Sequence, residues 1–126
     1  MEKEVIIAEK GAPPIGPYSP GIKIGNWLFI SGQGPLDPNT QKMPEDIKDQ
    51  TKAVLENIKG IVEAAGGTMA NIVKTTVFLK DMKNFDKMNR IYKQYFSEAP
   101  PARSCVEVAR LPLDIQVEIE AIGYIP

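Results

Sequence analysis

The last apolar segment of the chain, residues 115–124, alternates between apolar and polar side chains. A period of two predicts a β-strand with one buried face, because successive side chains of a strand lie on opposite faces. The rest of the chain must therefore supply an apolar layer that covers this face. The two sets are Ile115, Val117, Ile119 and Ala121 on one side and Gln116, Glu118 and Glu120 on the other.

Two segments have the period of an amphipathic helix and provide such a layer. Residues 47–65 carry an apolar stripe opposite a charged one, and Gly66-Gly67 ends the pattern. The second helix begins near Asn84 and cannot continue through Pro100-Pro101. Its predicted inward side chains are Phe85, Met88, Ile91, Tyr92, Tyr95 and Phe96.

Five further segments have the composition or alternation of strands. The order of elements is β-β-β-α-β-α-β-β, which predicts an α+β fold in a single domain of residues 1–126. The strands are residues 5–8, 21–24, 27–31, 71–79 and 102–108, and Gly25-Asn26 joins the second and third into a hairpin. In strand 71–79, Val73, Thr75, Val77 and Leu79 oppose Ile72, Lys74, Thr76 and Phe78.

The predicted sheet has one face that the helices cannot cover. Two helices suffice for only one face of a six-stranded sheet. The other face is mixed and more apolar than contact with water requires, so we expect another subunit to cover it. A wetted open face is the alternative that the pattern alone leaves open.

The composition excludes several classes of chemistry. The chain contains no histidine, which removes Ser-His and Cys-His pairs and the usual zinc and iron ligand sets. The net charge of −1 draws in neither nucleic acid nor anionic lipid, and one cysteine makes no internal disulfide. Short apolar runs and a charged start argue against a membrane span and a signal peptide, so a cytoplasmic protein is expected.

Three residues near the end of the chain are candidates for catalysis. Arg103 carries a planar guanidinium that can bind a carboxylate with two hydrogen bonds, although a salt bridge is the commoner role. Cys105 shares its face, but without a histidine its thiol is a weak nucleophile and its backbone is the better candidate. Glu118 lies among apolar neighbours, where burial would raise its pKa toward that of a general base. Glu120 on the same face is the competing carboxylate.

The position of Arg103 relative to Glu118 depends on how the last strand pairs. A tight hairpin centred near Arg110-Leu111 would place the two residues opposite each other. If the last strand inserts between other strands, they meet differently, including across subunits. A structural ion pair is the alternative reading of the hairpin geometry.

Four more residues are candidates for lining a binding cleft. Tyr18 lies in a proline-stiffened loop that could hold its phenol over a pocket or over the core. The segment Ser31-Gly32-Gln33-Gly34 could present backbone N–H groups to an anion or form a bulge. Asn89, on the inward side of the second helix, needs polar partners if it is buried, and a subunit contact or an exposed position are the alternatives.

Several motifs together resemble the YjgF/RidA family of enamine/imine deaminases. They are Ile15-Gly16-Pro17-Tyr18-Ser19-Pro20, Ser31-Gly32-Gln33, residues 61–66, residues 73–79, residues 101–107 and residues 117–121. The resemblance spans nearly the whole chain and implies a chorismate-mutase-like fold. It also implies a homotrimer whose sheets form a barrel-like core with three clefts between subunits.

The resemblance implies a reaction and a role for each candidate residue. The reaction is hydrolysis of 2-iminobutanoate or 2-iminopropanoate to the 2-oxo acid and ammonia, without metal or cofactor. Arg103 would bind the substrate carboxylate, Glu118 would orient or deprotonate water, and the backbone of Cys105 would contact the substrate nitrogen. The cleft would be lined by Tyr18, Ser31, Gly32 and Asn89.

Two other functions are compatible with the sequence. The clefts could bind small carboxylates without turnover, as a regulatory module would. Endoribonuclease or translation-inhibitor activity is attached to some members of the family. The charge of −1, the absence of histidine and the lack of a basic-aromatic stripe argue against a dedicated RNA site.

Overall fold

The sheet has six strands in the order β1-β2-β3-β6-β4-β5 in a computed structural model that describes residues 2–126. All neighbours are antiparallel except β4 and β5, so the sheet is mixed. The strands are β1 Lys3–Ile6, β2 Gly21–Ile24, β3 Trp27–Gln33, β4 Ile72–Leu79, β5 Ala102–Glu107 and β6 Val117–Tyr124, and the helices are α1 Ile47–Ala64 and α2 Phe85–Tyr95. The predicted order of elements is confirmed, and β1 lies two residues earlier than expected.

The helix α1 begins and ends where local chemistry requires. The side chain of Asp46 accepts hydrogen bonds from the N–H groups of Lys48 and Asp49, which satisfies two free donors of the first turn. At the other end Gly66 has a φ of +92°, a conformation that favours glycine, and the chain leaves the helix there. The stripe predicted for residues 47–65 therefore forms one continuous helix that packs on the sheet.

Both helices pack on one face of the sheet, and the core lies between the helices and that face. Leu28 and Ile30 of β3 and Val117 and Ile119 of β6 are buried with the inward residues of α1 and α2. The predicted alternation of the last strand is confirmed, since Val117, Ile119 and Ala121 are buried while Glu118 is half-buried and Glu120 is exposed.

Of the two pairings that the sequence left open for the last strand, the structure has insertion between other strands and not the hairpin. β5 pairs in parallel with β4, whereas β6 lies between β3 and β4. The strand with the strictest apolar alternation, β6, therefore has a neighbour on each side, and the more exposed β5 lies at the edge of the sheet. The connection between them has left-handed backbone at Leu113 and Asp114, with φ of 58° and 55°.

The predicted facing of strand 71–79 is wrong at Ile72 and Val73. The pairing of β4 with β6 shifts register between Ile72 and Lys74. Such an irregularity changes the phase of alternation. As a result Ile72 is buried on the helix side, while Val73 is 43% exposed.

The face of the sheet opposite the helices carries large apolar side chains in contact with solvent. Trp27 and Phe29 on β3 are 46% and 45% exposed, and Val106 on β5 is 42% exposed. The ring of Tyr124 on β6 packs edge-on against Trp27, with the centroids 4.9 Å apart. This mixed face agrees with the sequence pattern, and its cover by a second subunit stays a prediction. Within residues 2–126, neither helix is long and apolar enough to cross a bilayer.

Truncation of a leucine on the helix-covered face should destabilise the fold, whereas truncation of an exposed one should not. Leu28→Ala leaves a cavity beneath α1 and should lower the free energy of unfolding by about 2–5 kcal/mol. Leu113→Ala removes the same atoms from a side chain that is 74% exposed and is the matched control. Urea unfolding at one fixed protein concentration measures both, and equal losses would contradict the assignment of faces.

Candidate active site

Arg103 lies on β5 with its side chain extended toward α2. Its Nη1 donates a hydrogen bond to Oδ1 of Asn89 at 2.7 Å. The guanidinium carbon lies 4.8 Å from the ring centroid of Tyr92 and 5.6 Å from that of Phe85. Phe85, Asn89 and Tyr92 follow an i, i+4, i+7 spacing on α2 and therefore form one stripe. The side chain of Arg103 lies along this stripe.

The guanidinium has no anionic partner within the described chain. Asn89 is the only hydrogen-bond acceptor that Arg103 finds among residues 2–126, and the ion pair recorded there joins Lys80 to Asp114 instead. A salt bridge was the alternative role for Arg103, and no carboxylate of the described chain provides one. Its remaining N–H groups are free to bind a carboxylate in two parallel hydrogen bonds.

Cys105 lies two residues further along β5 and packs against the edge of the core. Burial raises the pKa of its thiol, and the nearby charge of Arg103 lowers it by less. The thiol is therefore protonated near neutral pH and is a poor nucleophile. Asn89, Arg103 and Cys105 form a first set of predicted residues, which we call the arginine group.

Glu118 points to the opposite face of the sheet. Its strand neighbours Val117 and Ile119 are buried under the helices, so the glutamate projects to the open face. Burial raises the pKa of the Glu118 carboxyl, and the charge of Glu120 raises it further. A carboxyl with a raised pKa is a better proton acceptor near neutral pH than an ordinary glutamate.

The side chain of Glu118 lies directly across the backbone of Gly32. A Cβ at position 32 would clash with the carboxylate of Glu118, so this placement of the glutamate side chain requires glycine at position 32. The pairing of β3 with β6 shifts register between Ile30 and Gln33, which places Ser31 and Gly32 in a bulge. The bulge, one of the two readings of this motif, is confirmed and brings the strand backbone against the carboxylate.

The loop that carries Tyr18 is tied to the same bulge. Ser31 donates its hydroxyl to the carbonyl of Ser19 at 2.6 Å, and its N–H donates to the carbonyl of Pro20 at 2.9 Å. Tyr18 itself is 46% exposed, and its hydroxyl accepts a hydrogen bond from the N–H of Ile15 at 3.3 Å. The phenol therefore does not cover the core. Tyr18, Ser31, Gly32 and Glu118 form a second set, which we call the glutamate group.

The arginine group and the glutamate group do not meet within one chain. The strand β4 separates β5 from β6, so Arg103 and Glu118 are two strands apart, about 10 Å across the sheet. Register places Arg103 beside Thr75 but Glu118 beside Phe78, a further offset of about 10 Å along the strands. Because the side chains also lie on opposite faces, the ion pair considered above does not form within one chain.

Three residues around Arg103 have roles that the sequence pattern did not reveal. Phe85 and Tyr92 were predicted as inward residues of the second helix, without a connection to the arginine. Thr75 was predicted only as a strand residue, yet its hydroxyl lies 2.7 Å from that of Tyr92. The spacing of Phe85, Asn89 and Tyr92 on one stripe was the available signal. Among residues 2–126, no cluster of three or more acidic or cysteine side chains could hold a metal ion.

The sequence profile of the family described as endoribonuclease L-PSP matches residues 9–125. The chain belongs to this family. It is the YjgF/RidA family expected from the sequence motifs, so that expectation is confirmed.

Similar proteins in this family cover almost the whole chain. A RutC family protein of Pyrococcus horikoshii is 58% identical over 123 residues, 97% of this chain and 98% of that protein. The 2-iminobutanoate/2-iminopropanoate deaminase of Escherichia coli is 51% identical over 121 residues, 93% of this chain and 94% of the deaminase. The crystal structure of Escherichia coli TdcF with bound serine matches with a TM-score of 0.93 at 44% identity, over 98% of this chain and 99% of TdcF. The fold expected for a YjgF/RidA member is thereby confirmed.

The pKa of Glu118 should respond to the charge of Glu120. Glu120→Gln removes the neighbouring negative charge and should lower the pKa of Glu118 toward the ordinary glutamate value. A pH titration followed by carbon NMR of labelled glutamate carboxyls measures it, and the Glu118→Gln spectrum assigns the signal. Glu63→Gln removes an exposed carboxylate from α1 and is the control. An unchanged Glu118 pKa in the Glu120→Gln protein would contradict the proximity of the two carboxyls.

The raised pKa of Glu118 also determines how this residue affects stability as the pH changes. Because the pKa of Glu118 is higher in the folded chain than in the unfolded chain, its ionised form destabilises the fold. Glu118→Gln should therefore be more stable than the unaltered protein above neutral pH. That advantage should disappear in acid, where the glutamate is already neutral.

Proposed function

We propose that the protein hydrolyses small 2-imino acids, such as 2-iminobutanoate and 2-iminopropanoate, to 2-oxo acids and ammonia. The observation that carries the proposal is the guanidinium of Arg103, which is hydrogen-bonded to Asn89, lies against the rings of Tyr92 and Phe85 and has no carboxylate partner among residues 2–126. A relative that is 51% identical is named for this activity, and TdcF binds serine, which also bears a carboxylate beside a nitrogen-bearing carbon.

In the proposed reaction Arg103 binds the substrate carboxylate and fixes the position of the imine carbon. That carbon is already electrophilic when the imine nitrogen is protonated, so water can add without a covalent enzyme intermediate. Glu118 accepts a proton from the attacking water as the C–O bond forms. Glu118 then returns this proton to the carbinolamine nitrogen, and the C–N bond breaks. The hydroxyl proton passes to the released ammonia, which leaves the 2-oxo acid, so one water is consumed for each ammonia released. Positioning of substrate and water supplies most of the rate acceleration.

The proposed site is assembled from two copies of the chain in a homotrimer. Within one chain the two groups lie on opposite faces of the sheet, so they can meet only between copies. The arginine group of one copy therefore faces the glutamate group of its neighbour. Tyr18, Ser31 and Gly32 line the cleft beside Glu118, and Asn89 and the backbone of Cys105 line it beside Arg103. The exposed apolar side chains on the open face supply a surface for such an assembly to bury.

Replacement of Arg103 should abolish imine hydrolysis. The imine is generated in situ by a threonine dehydratase, and the release of 2-oxobutanoate is followed. Arg103→Ala should reduce kcat/KM by more than about a hundredfold, because a lost bidentate, charge-assisted contact costs roughly 3 kcal/mol or more. Arg103→Lys should recover little of the activity, because an ammonium cannot form two parallel hydrogen bonds.

Arg110→Ala provides the matched control for that experiment. Arg110 is an exposed arginine beyond the end of β5, so its removal should leave the rate unchanged. The unaltered protein failing to accelerate 2-oxobutanoate release would reject the enzyme hypothesis. RNA cleavage that survives in the Arg103→Ala protein would favour the endoribonuclease name of the family instead.

Mixing two inactive variants should restore activity if the site spans two chains. Arg103→Ala and Glu118→Gln proteins are refolded together, so that random trimers form. Each interface then has about one chance in four of joining an intact arginine to an intact glutamate, and about a quarter of the original activity should return. Each variant refolded alone is the control, and sedimentation checks the number of subunits. Mixed trimers without activity would contradict a shared site.

A further inference from the structure

A pair of buried hydroxyls lies in the core directly behind Arg103. The side chains of Thr75 on β4 and Tyr92 on α2 are 0% and 6% exposed, and their oxygens are 2.7 Å apart. A valine and a phenylalanine would fill the same space, and replacing both partners of a buried hydrogen bond by apolar groups is often nearly neutral. The core therefore does not need these hydroxyls for its stability.

The hydroxyl pair completes a closed chain of contacts around the guanidinium. Thr75 is the residue that faces Arg103 across the β4–β5 ladder, so the strand pairing fixes their backbones relative to each other. Thr75 then holds the Tyr92 hydroxyl, and the Tyr92 ring lies under the guanidinium at 4.8 Å. The contacts form a closed loop through Thr75, Tyr92 and Arg103, which limits how far the ring can move.

An anchored ring restricts the orientation of the guanidinium that lies over it. A cation over an aromatic face is attracted by the ring electrons, and a planar guanidinium also stacks on the face. Asn89 holds one edge of the same group at 2.7 Å, which fixes its rotation in that plane. Burial raises the pKa of Tyr92 by more than the Thr75 hydrogen bond and the Arg103 charge lower it. The Tyr92 hydroxyl therefore stays protonated.

We propose that Tyr92, locked by Thr75, is a positioning residue that sets the plane in which Arg103 receives the substrate carboxylate. This inference rests on the proposed function, because it concerns the residue assigned to carboxylate binding. Tyr92 acts through Arg103 and does not itself touch the substrate. Its loss should therefore weaken carboxylate binding more than it slows the chemical step.

The test compares two tyrosines of the same helix. Tyr92→Leu removes the ring beneath Arg103 and should raise KM for the imine about tenfold, with a smaller change in kcat. The affinity for 2-oxobutanoate, measured by calorimetry without turnover, should fall by the same factor. Tyr95→Leu is the matched control, because Tyr95 instead donates its hydroxyl to Glu56 at 2.6 Å. An equal rise in KM from Tyr95→Leu would show a general effect on α2 and overturn the proposal.

A double-mutant cycle asks whether the effect passes through Arg103. In an Arg103→Ala background, Tyr92→Leu should cause no further loss of 2-oxobutanoate affinity, because the group that it positions is absent. Full additivity of the two losses would overturn the positioning role. The Thr75→Val, Tyr92→Phe double variant preserves the shape of the core and should fold even if Tyr92→Leu does not. It should raise KM about threefold with little change in the melting temperature, and an unchanged KM would remove the locking role of Thr75.

The two readouts separate this inference from the proposed function. If the imine is hydrolysed but Tyr92→Leu leaves KM and affinity unchanged, only the positioning role fails. If no imine is hydrolysed but 2-oxobutanoate binding responds to both Arg103→Ala and Tyr92→Leu, the positioning role stands and the deaminase assignment fails. If the unaltered protein neither binds 2-oxobutanoate nor hydrolyses the imine, both fail.

Discussion

The insertion of β6 between β3 and β4 is the constraint on which the rest of the structure depends. Its apolar residues form the middle of the layer beneath α1 and α2, so the strand cannot turn over without losing the core. The same alternation leaves Glu118 on the opposite face, across the backbone of Gly32. It also moves β5 to the edge of the sheet, where Arg103 reaches α2. One strand assignment thus determines where both charged candidates lie.

A sheet with one helical layer separates the chemistry on its two faces. On the helix side, three α2 residues contact Arg103 and hold its side chain in place. On the open side, Glu118 lies against the bulge of β3. Neither group holds both an anion-binding cation and a proton acceptor, so in the proposed site each chain would contribute one half. Joining the halves in the proposed trimer also buries the apolar side chains that the open face exposes. In this proposal assembly and catalysis require the same surface.

Local patterns predicted the elements of this fold, whereas strand pairing and fine geometry needed the three-dimensional structure. The alternation of residues 115–124 and the helical stripe of residues 47–65 identify their elements because burial on one face imposes a period. The same pattern fits a hairpin or an inserted strand equally well, so the neighbours of β6 could not be predicted. The irregularity near Ile72 shifts the alternation by one residue without a distinct sequence signal. Tyr92 was assigned to the core correctly, but an apolar stripe does not reveal which core residue supports a functional one.

The charges of the two groups are complementary to the proposed substrate. A protonated 2-imino acid carries a carboxylate and a cationic nitrogen on adjacent carbons. Arg103 matches the carboxylate, and the carboxylate of Glu118 attracts the iminium while it accepts a proton from water. Both side chains are partly buried, and neither forms an ion pair with an opposite charge among residues 2–126. Their interactions with a substrate therefore do not require an existing ion pair to break. A direct Arg103–Glu118 pair across the interface would compete with the substrate, so the proposed cleft must hold the two groups apart by about the length of the imino acid.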